Sequence, residues 1–416
     1  MKKIDLVIIG GGSAGLASAV GAYDQGIRNI LIIEKMAFLG GILNQCIHNG
    51  FGLTEFKEEL TGPEFASRFI KQVEERHIPY VLNSTVISIS KEKVVTYISA
   101  EEGAVEIQAG AIINALGCYE RNSGAIGIPG DRPAGVLTAG QAQLFLNEYG
   151  YLVGKRVFIL GSGDIGLIMA RRLTLEGAKV LGVAELMPWS NGLNRNIVQC
   201  LEDYDIPLYL SHTVSKIIGK SRLEAIELSE VDSKMQPIPG SAKRFDVDTL
   251  VLSIGLVPNN NLFDQLGIEV GRSRGSAVDE HYQTSLPGFF SCGNVLHVHD
   301  LVDNVVAEAR LAGEAAALYL QGELKEGKHL SIVAGDGVGY VVPSRLAYEK
   351  DKKATFKFRV RKPSKNVYID YSQNGKVVKS VFKPVIIPSE MEIENIPESV
   401  FASEGDIVLS VRPKEA

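Results

Sequence analysis

The stretch Leu6-Val7-Ile8-Ile9-Gly10-Gly11-Gly12-Ser13-Ala14-Gly15 constrains this chain more than any other. An apolar run rich in β-branched residues, the composition of a buried strand, stops at a glycine turn. Residues 16–25 are helix-compatible, and Gly26 stands where a helix C-cap is wanted. A second apolar run, residues 30–33, ends on Glu34. Strand, glycine turn, helix, strand and acid together form the dinucleotide-binding βαβ unit. Gly10 permits the tight turn, Gly12 lets backbone approach a pyrophosphate, and Gly15 lets helix and strand pack closely. The helix start offers free N–H groups and a positive dipole end to phosphates. Glu34 is placed to accept from ribose hydroxyls.

One such turn is weak evidence, because glycine turns are common. Val157-Phe158-Ile159-Leu160-Gly161-Ser162-Gly163-Asp164-Ile165-Gly166 repeats the whole arrangement. Glu185 stands as far from Gly161 as Glu34 does from Gly10, and Gly177 repeats Gly26. Features recurring in register set aside two ordinary βα turns. Gly161, Gly163, Asp164, Ile165 and Gly166 are therefore expected to form a second pyrophosphate turn. Glu185 suits a ribose with a free 2′-hydroxyl and repels a 2′-phosphate. Leu186, Met187 and Pro188 follow it, with no arginine, so NAD is expected rather than NADP. Trp189 either stacks on the adenine or packs as a partly buried aromatic.

At 416 residues the chain has room for two or three domains. Its net charge of -6 argues against nucleic acid or an anionic membrane as partner. No apolar run approaches the roughly 20 residues needed to span a bilayer. Lys2 and Lys3 followed by apolar residues do not make a signal peptide, since Asp5 interrupts and Gly10 ends the run. A cytoplasmic location is expected. The cysteines Cys46, Cys118, Cys200 and Cys292 form no CxxC pair, disulfide framework or zinc signature, and no metal is expected.

Along the chain, Gly40-Gly41 opens a polar loop reaching Gly52, and Pro63 starts a helix whose core face carries Phe65, Phe69 and Val73. Residues 85–90, 94–98 and 105–108 alternate as a β-meander before a parallel strand at 111–115. Residues 122–135 read as a Gly- and Pro-rich loop. The second unit closes with a strand running to Gly255. Another strand, 288–292, precedes a long helix from about Leu301 to Leu320, whose alanines suit close packing on a sheet. From about Lys328 the pattern becomes antiparallel, with period-two alternation over 354–360 and a hairpin signal at Asn374-Gly375. The expected architecture is α/β, with two Rossmann-like domains, the second inserted in a split first. The segments are 1–125, a linker 126–152, 153–257, 258–325, and a C-terminal antiparallel β-sandwich-like domain 330–416. This last domain reads as a structural or interface module.

As a set these motifs resemble the two-dinucleotide-binding flavoproteins of the pyridine-nucleotide oxidoreductase superfamily, over roughly residues 1–325. The resemblance implies FAD at the first turn and NAD(P)H at the second. Gly10, Gly12, Ser13, Ala14 and Gly15 would then cradle the FAD pyrophosphate, with Glu34 on the ribose, Lys35 over the adenine and Val86 beside it. Gly41, Asn49, Ala115, Leu116 and Gly117 would line the flavin. Gly293 and Asn294 would meet the ribityl and phosphate groups, and Leu301 and Val302 at the helix start the pyrimidine. Asn294 departs from the usual aspartate, and no cysteine pair for a disulfide reductase is present.

Residues 116–121 and 135–143 further resemble the FAD/NAD subunits of heteromeric dehydrogenases, such as those of hydrogen cyanide synthase and opine oxidase. The loop at 45–52 and the β tail are similar to a branch found beside glycerol-3-phosphate dehydrogenase-like flavoproteins. That resemblance implies a partner dehydrogenase flavoprotein, of glycerol-3-phosphate or amino-acid type, and a small iron–sulfur protein. Two alternatives remain open: a stand-alone NAD(P)H-dependent reductase of a quinone, oxygen or sulfur compound, and a nucleotide-binding assembly subunit without nicotinamide chemistry. No catalytic residue is assigned. Cys46 and His48 are candidates by their loop position, but the preferred reading is that Asn44, Gln45, His48 and Asn49 only hydrogen-bond the flavin edge while Cys46 packs. Asp303, in the first turn of the last helix, is expected to point outward.

Overall fold

The computed structural model describes residues 1–324, 327, 329–349 and 352–414. The chain forms two compact units, Met1–Cys118 with Pro258–Ala416, and Tyr119–Val257.

The first unit is built on a seven-stranded sheet. Across it run Tyr80–Val81, Ile30–Ile33, Lys2–Ile9, Gly103–Asn114, Val94–Ser99 and Ser84–Ile89, with Phe289–Ser291 pairing Gly103–Asn114. Lys2–Ile9 is parallel to both neighbours, Leu6 lying opposite Ile30 and Ala111. Its unbroken apolar run has a direct cause. Leu6 and Ile8 enter a core shared with the helices Ser13–Asp24 and Val302–Gln321, while Val7 and Ile9 enter a second core with Phe263 and Phe289 on the other face. The small residues of the long helix press chiefly on the first helix rather than on the sheet. A β-carbon at Gly313 would lie 2.1 Å from the Ser18 carbonyl oxygen, and one at Gly21 would lie 2.5 Å from that of Arg310.

One expectation changes here. The strand expected at 105–108 and the one expected at 111–115 are a single strand, Gly103–Asn114. It starts antiparallel to Val94–Ser99 and ends parallel to Lys2–Ile9. Gly110 in its middle breaks nothing; it admits the Asp5 carbonyl oxygen, 2.8 Å from where a β-carbon would sit.

The second unit holds a five-stranded parallel sheet in the order Val136–Thr138, Thr249–Leu252, Arg156–Leu160, Lys179–Glu185 and Leu208–Leu210. A three-stranded antiparallel sheet, His212–Ile218, Ala225–Glu230 and Lys243–Asp246, accompanies it. The expected linker 126–152 is a working part of this unit. Its residues 136–138 pair with Thr249–Leu252, and the helix Ala139–Asn147 buries Ala139, Ala142 and Leu146 in the same core as Val157 and Leu167. The Gly- and Pro-rich composition marked only the loop before that strand. The chain enters this unit at Tyr119 rather than after residue 125, and leaves it at Val257.

The C-terminal residues form two sheets around one core of Phe356, Phe358, Ile369, Tyr371 and Leu409. Asn374 and Gly375, at φ 52° and 74°, make the hairpin between Ser364–Gln373 and Lys376–Ile386. The pairings are antiparallel except that of His329–Ala334 with Ile407–Pro413. This domain belongs to the first compact unit. The expected segment end at Lys325 and the change of pattern at Lys328 lie outside the described residues. Among the described residues no helix is long and apolar enough to cross a membrane.

Phe356 is fully buried, with ring centroids 5.2 Å from Tyr371 and 6.0 Å from Phe401. Phe356→Ala is expected to cost about 3–5 kcal/mol, read as a lower denaturation midpoint in urea.

Candidate flavin and nicotinamide sites

The two glycine turns are built alike. A β-carbon at Gly10 would lie 2.6 Å from the Ala115 carbonyl oxygen, and one at Gly161 would lie 2.0 Å from that of Ser253. Each turn thus rests on a parallel strand end, Ala115-Leu116-Gly117 or Ser253-Ile254-Gly255. At Gly15 a β-carbon would strike the Gly10 carbonyl oxygen at 1.8 Å, and at Gly166 that of Gly161 at 2.7 Å. Glycine at these four positions is a packing requirement.

The acids occupy matching places. Glu34 accepts from the Gly11 N–H at 2.6 Å and the Met36 N–H at 2.8 Å. Glu185 accepts from the Ser162 N–H and the Met187 N–H, both at 3.0 Å, and from the Ser162 hydroxyl at 2.7 Å. Both carboxylates are buried, and each closes its turn onto the end of the next strand. A carboxylate has about four lone-pair sites, so each retains capacity for a ribose hydroxyl.

The groove at the first turn fits a pyrophosphate. A β-carbon at Gly12 would meet only the Gly41 Cα, 3.9 Å away, so no side chain fills the space above it. Gly12 is the N-cap of the helix Ser13–Asp24, which has no side-chain cap and no acid in its first turn. Gly12 and Gly40 form a parallel bridge, and the Gly40 N–H donates to the Gly11 carbonyl, which brings Gly41 beside the turn. Gly293 comes in from the far end of the chain, its hypothetical β-carbon 2.8 Å from the Ala14 Cβ. The structure therefore gathers Gly10–Gly15, Gly41, Ala115 and Gly293. Lys35, Asn49 and Leu301 stand exposed, Val86 is half-buried in Ser84–Ile89, and Leu116 and Val302 pack against the two cores. Asn294 accepts from the His299 N–H through its side-chain oxygen, 3.0 Å, and so shapes the segment after Gly293.

At the second turn Gly163 is the uncapped N-cap of Asp164–Leu175. The Asp164 carboxylate accepts from the Leu193 N–H at 2.8 Å and the Asn196 amide at 2.7 Å, anchoring the loop that carries Trp189. The buried Trp189 indole N–H has no partner among the described residues. The two motifs of the narrower resemblance also meet in this unit: both Glu120 oxygens accept from the Gly140 N–H, at 2.9 and 3.0 Å.

The Cys46 thiol donates to the Ile42 carbonyl at 3.3 Å, and burial pushes it up to about 12, so at neutral pH it carries its proton and is a poor nucleophile. The His48 ring packs against Phe51 at a tilt of 50°, with centroids 5.1 Å apart. Asp303 does not point outward. It is buried and accepts from the N–H groups of Gly52 (3.0 Å), Thr54 (2.9 Å) and Glu55 (2.8 Å), tying the end of the flavin-side loop to the last helix. Three free N–H groups satisfy a first-turn acid better than water does once the loop covers it.

The sequence reading missed a buried polar cluster beside Gly293. Glu308 accepts from the Gly293 N–H (2.8 Å), from Lys357 Nζ (2.6 Å), and lies 2.9 and 3.1 Å from the Nε2 atoms of His297 and His299. His297, His299 and Glu308 are a candidate metal-ligand set, with ligand atoms within 4.8 Å of one another. The Lys357 ammonium pairs with the same carboxylate at 2.6 Å, so Glu308 already has a cation beside it. The available signal was an acid on the alanine-rich face of a helix preceded by His-x-His.

Two units, each with a glycine turn between parallel strands and closed by a buried acid, the second interrupting the first in sequence, define a two-dinucleotide-binding fold. The sequence pattern of the pyridine nucleotide-disulphide oxidoreductases matches residues 4–339, and the chain belongs to that family. It is 26% identical to hydrogen cyanide synthase subunit HcnB of Pseudomonas protegens, over 86% of this chain and 76% of that one. It is also 26% identical to an NADH oxidase of Methanocaldococcus jannaschii, over 78% of this chain and 69% of that protein. In fold it is similar to the thioredoxin reductase of T. acidophilum, with a TM-score of 0.61 and 22% identity, over 78% of this chain and 99% of that one. The protein is an FAD-dependent NAD(P)H oxidoreductase.

Asp303→Ala should release residues 52–55 while leaving the helix folded. Faster amide hydrogen exchange confined to that loop is the expected outcome, by roughly tenfold or more for the loss of bonds to a charged acceptor.

Proposed function

We propose that the protein passes hydride between NAD(H) and FAD and exchanges the electrons with a partner chain. The partner is a dehydrogenase flavoprotein of glycerol-3-phosphate or amino-acid type, a small iron–sulfur protein, or both, in the cytoplasm. The observation that carries this reading is the matched pair of uncapped turns, each closed by a buried glutamate. Bound FAD supplies the two-electron chemistry.

The chain's own residues hold and orient. The open groove at Gly12 and the backbone N–H groups from Ser13 to Gly15 receive the FAD pyrophosphate, and Glu34 takes its ribose. Gly163 and the N–H groups after it receive the nicotinamide dinucleotide, with Glu185 on the adenosine ribose. A buried acid at Glu185 disfavours a 2′-phosphate, which supports NAD over NADP. Hydride transfer needs alignment of two rings rather than an acid or base, consistent with a site that assigns no catalytic side chain.

A subunit role is supported by similarity to HcnB, itself a subunit of hydrogen cyanide synthase. It is also supported by the thiols: burial raises Cys46, Cys200 and Cys292, and no CxxC pair is present to relay electrons to a disulfide. Similarity to an NADH oxidase favours a second reading, a stand-alone reductase of a small acceptor.

Anaerobic addition of NADH is expected to bleach the visible flavin band of the purified protein; persistence of the oxidised spectrum sinks the proposal. Sustained NADH consumption with oxygen or a quinone alone would favour the second reading. Glu185→Gln should narrow the preference for NADH over NADPH by about tenfold in kcat/KM, roughly 1.4 kcal/mol of discrimination.

A further inference from the structure

The strand Lys353–Val360 reads Phe356-Lys357-Phe358-Arg359, and its alternation divides two jobs. Phe356 and Phe358 are fully buried in the C-terminal core. Lys357 and Arg359 leave by the opposite face and reach the segment between Gly293 and the last helix. Arg359 donates to the Val298 carbonyl at 3.1 Å and pairs with Asp300, which also accepts from the Met391 N–H at 2.7 Å. Lys357 donates to Glu308 at 2.6 Å and to the Tyr282 hydroxyl at 3.1 Å. Glu308 in turn holds the Gly293 N–H and faces both histidines. Gly293, at φ 75°, is the residue packed against Ala14 of the first nucleotide turn.

We propose that Lys357 is a positioning residue for the flavin site: through it the C-terminal β domain holds Glu308, and with it the wall from Gly293 to His299, against the first turn. The inference rests on reading that turn as the FAD site. It gives the C-terminal domain a role in cofactor retention rather than in packing alone.

The groups facing Glu308 are Lys357, His297, His299, Tyr282, Cys292 and Tyr340. Burial opposes the charge on Glu308, yet Lys357 and the two imidazoles hold its carboxyl well below the usual range. Burial likewise opposes the Lys357 charge, which Glu308 and Tyr282 more than restore. Burial pushes His297 down to about 4, so it is neutral at physiological pH. Without the Lys357 ammonium, the buried Glu308 charge loses the cation paired with it, and a carboxylate left uncompensated in the interior is strongly unfavourable.

The test is FAD affinity of the full-length protein, measured by flavin fluorescence in wild type, Lys357→Met and Lys357→Arg. Lys357→Met should weaken FAD binding by roughly tenfold or more, because it leaves the buried Glu308 charge without its partner. Lys357→Arg, which keeps a cation against Glu308, should recover most of that loss. Equal affinity in wild type and Lys357→Met would overturn the inference. So would a loss in Lys357→Arg as large as that in Lys357→Met. If Lys357→Met fails to fold, Glu308→Gln takes its place: weakened FAD binding supports the inference and unchanged binding overturns it. A wild-type protein that binds no FAD would instead overturn the reading of the first turn.

Discussion

A strand that stops, turns and sends its chain into a helix packed on that same strand leaves no volume for a β-carbon at the crossing. That exclusion governs both halves of this protein. Gly10 and Gly15 in one unit, and Gly161 and Gly166 in the other, sit where any side chain would enter backbone atoms. The same compression exposes the N–H groups at the helix start, which is why a site for phosphate comes with the packing. The buried glutamate after the next strand completes the arrangement. Accepting from the turn's own N–H groups, it fixes the turn before any ribose arrives.

Around the first turn, the acids do more than their chain positions suggest. Asp303 and Glu308 lie one and a half turns apart on one helix, and both are spent on backbone of distant segments: Gly52 to Glu55 for one, Gly293 for the other. The helix Val302–Gln321 thus acts as a post to which two distant loops are tied. Its small residues let it stand close against the first helix, so loops, post and turn share one core. The cost of burying Glu308 is offset because Lys357 arrives from the C-terminal domain with its own charge and a second partner, Tyr282.

Much of the fold was legible because its signals are local. The in-register repeat of glycines and acids marked both nucleotide units, and Asn374-Gly375 marked the hairpin. The errors fell where composition and packing part company. Residues 126–152 looked like a linker because Gly and Pro cluster before Val136; edge pairing with Thr249–Leu252 made part of them a sheet strand. The strands expected at 105–108 and 111–115 proved to be one, with Gly110 at a close approach to Asp5.

By itself the sequence determined what backbone geometry demands: where the chain must turn, where a β-carbon is forbidden, and which acid follows at the next strand end. Those requirements act within a few tens of residues and leave a readable pattern. Only the tertiary structure decided the fate of the charged side chains. The alternation of Phe356, Lys357, Phe358 and Arg359 fits a strand with one wet face equally well. Whether that face meets water or a buried carboxylate depends on a partner at Glu308, which local pattern does not encode. Desolvating a charge is unfavourable until its counter-charge is in place, so the choice was made by packing.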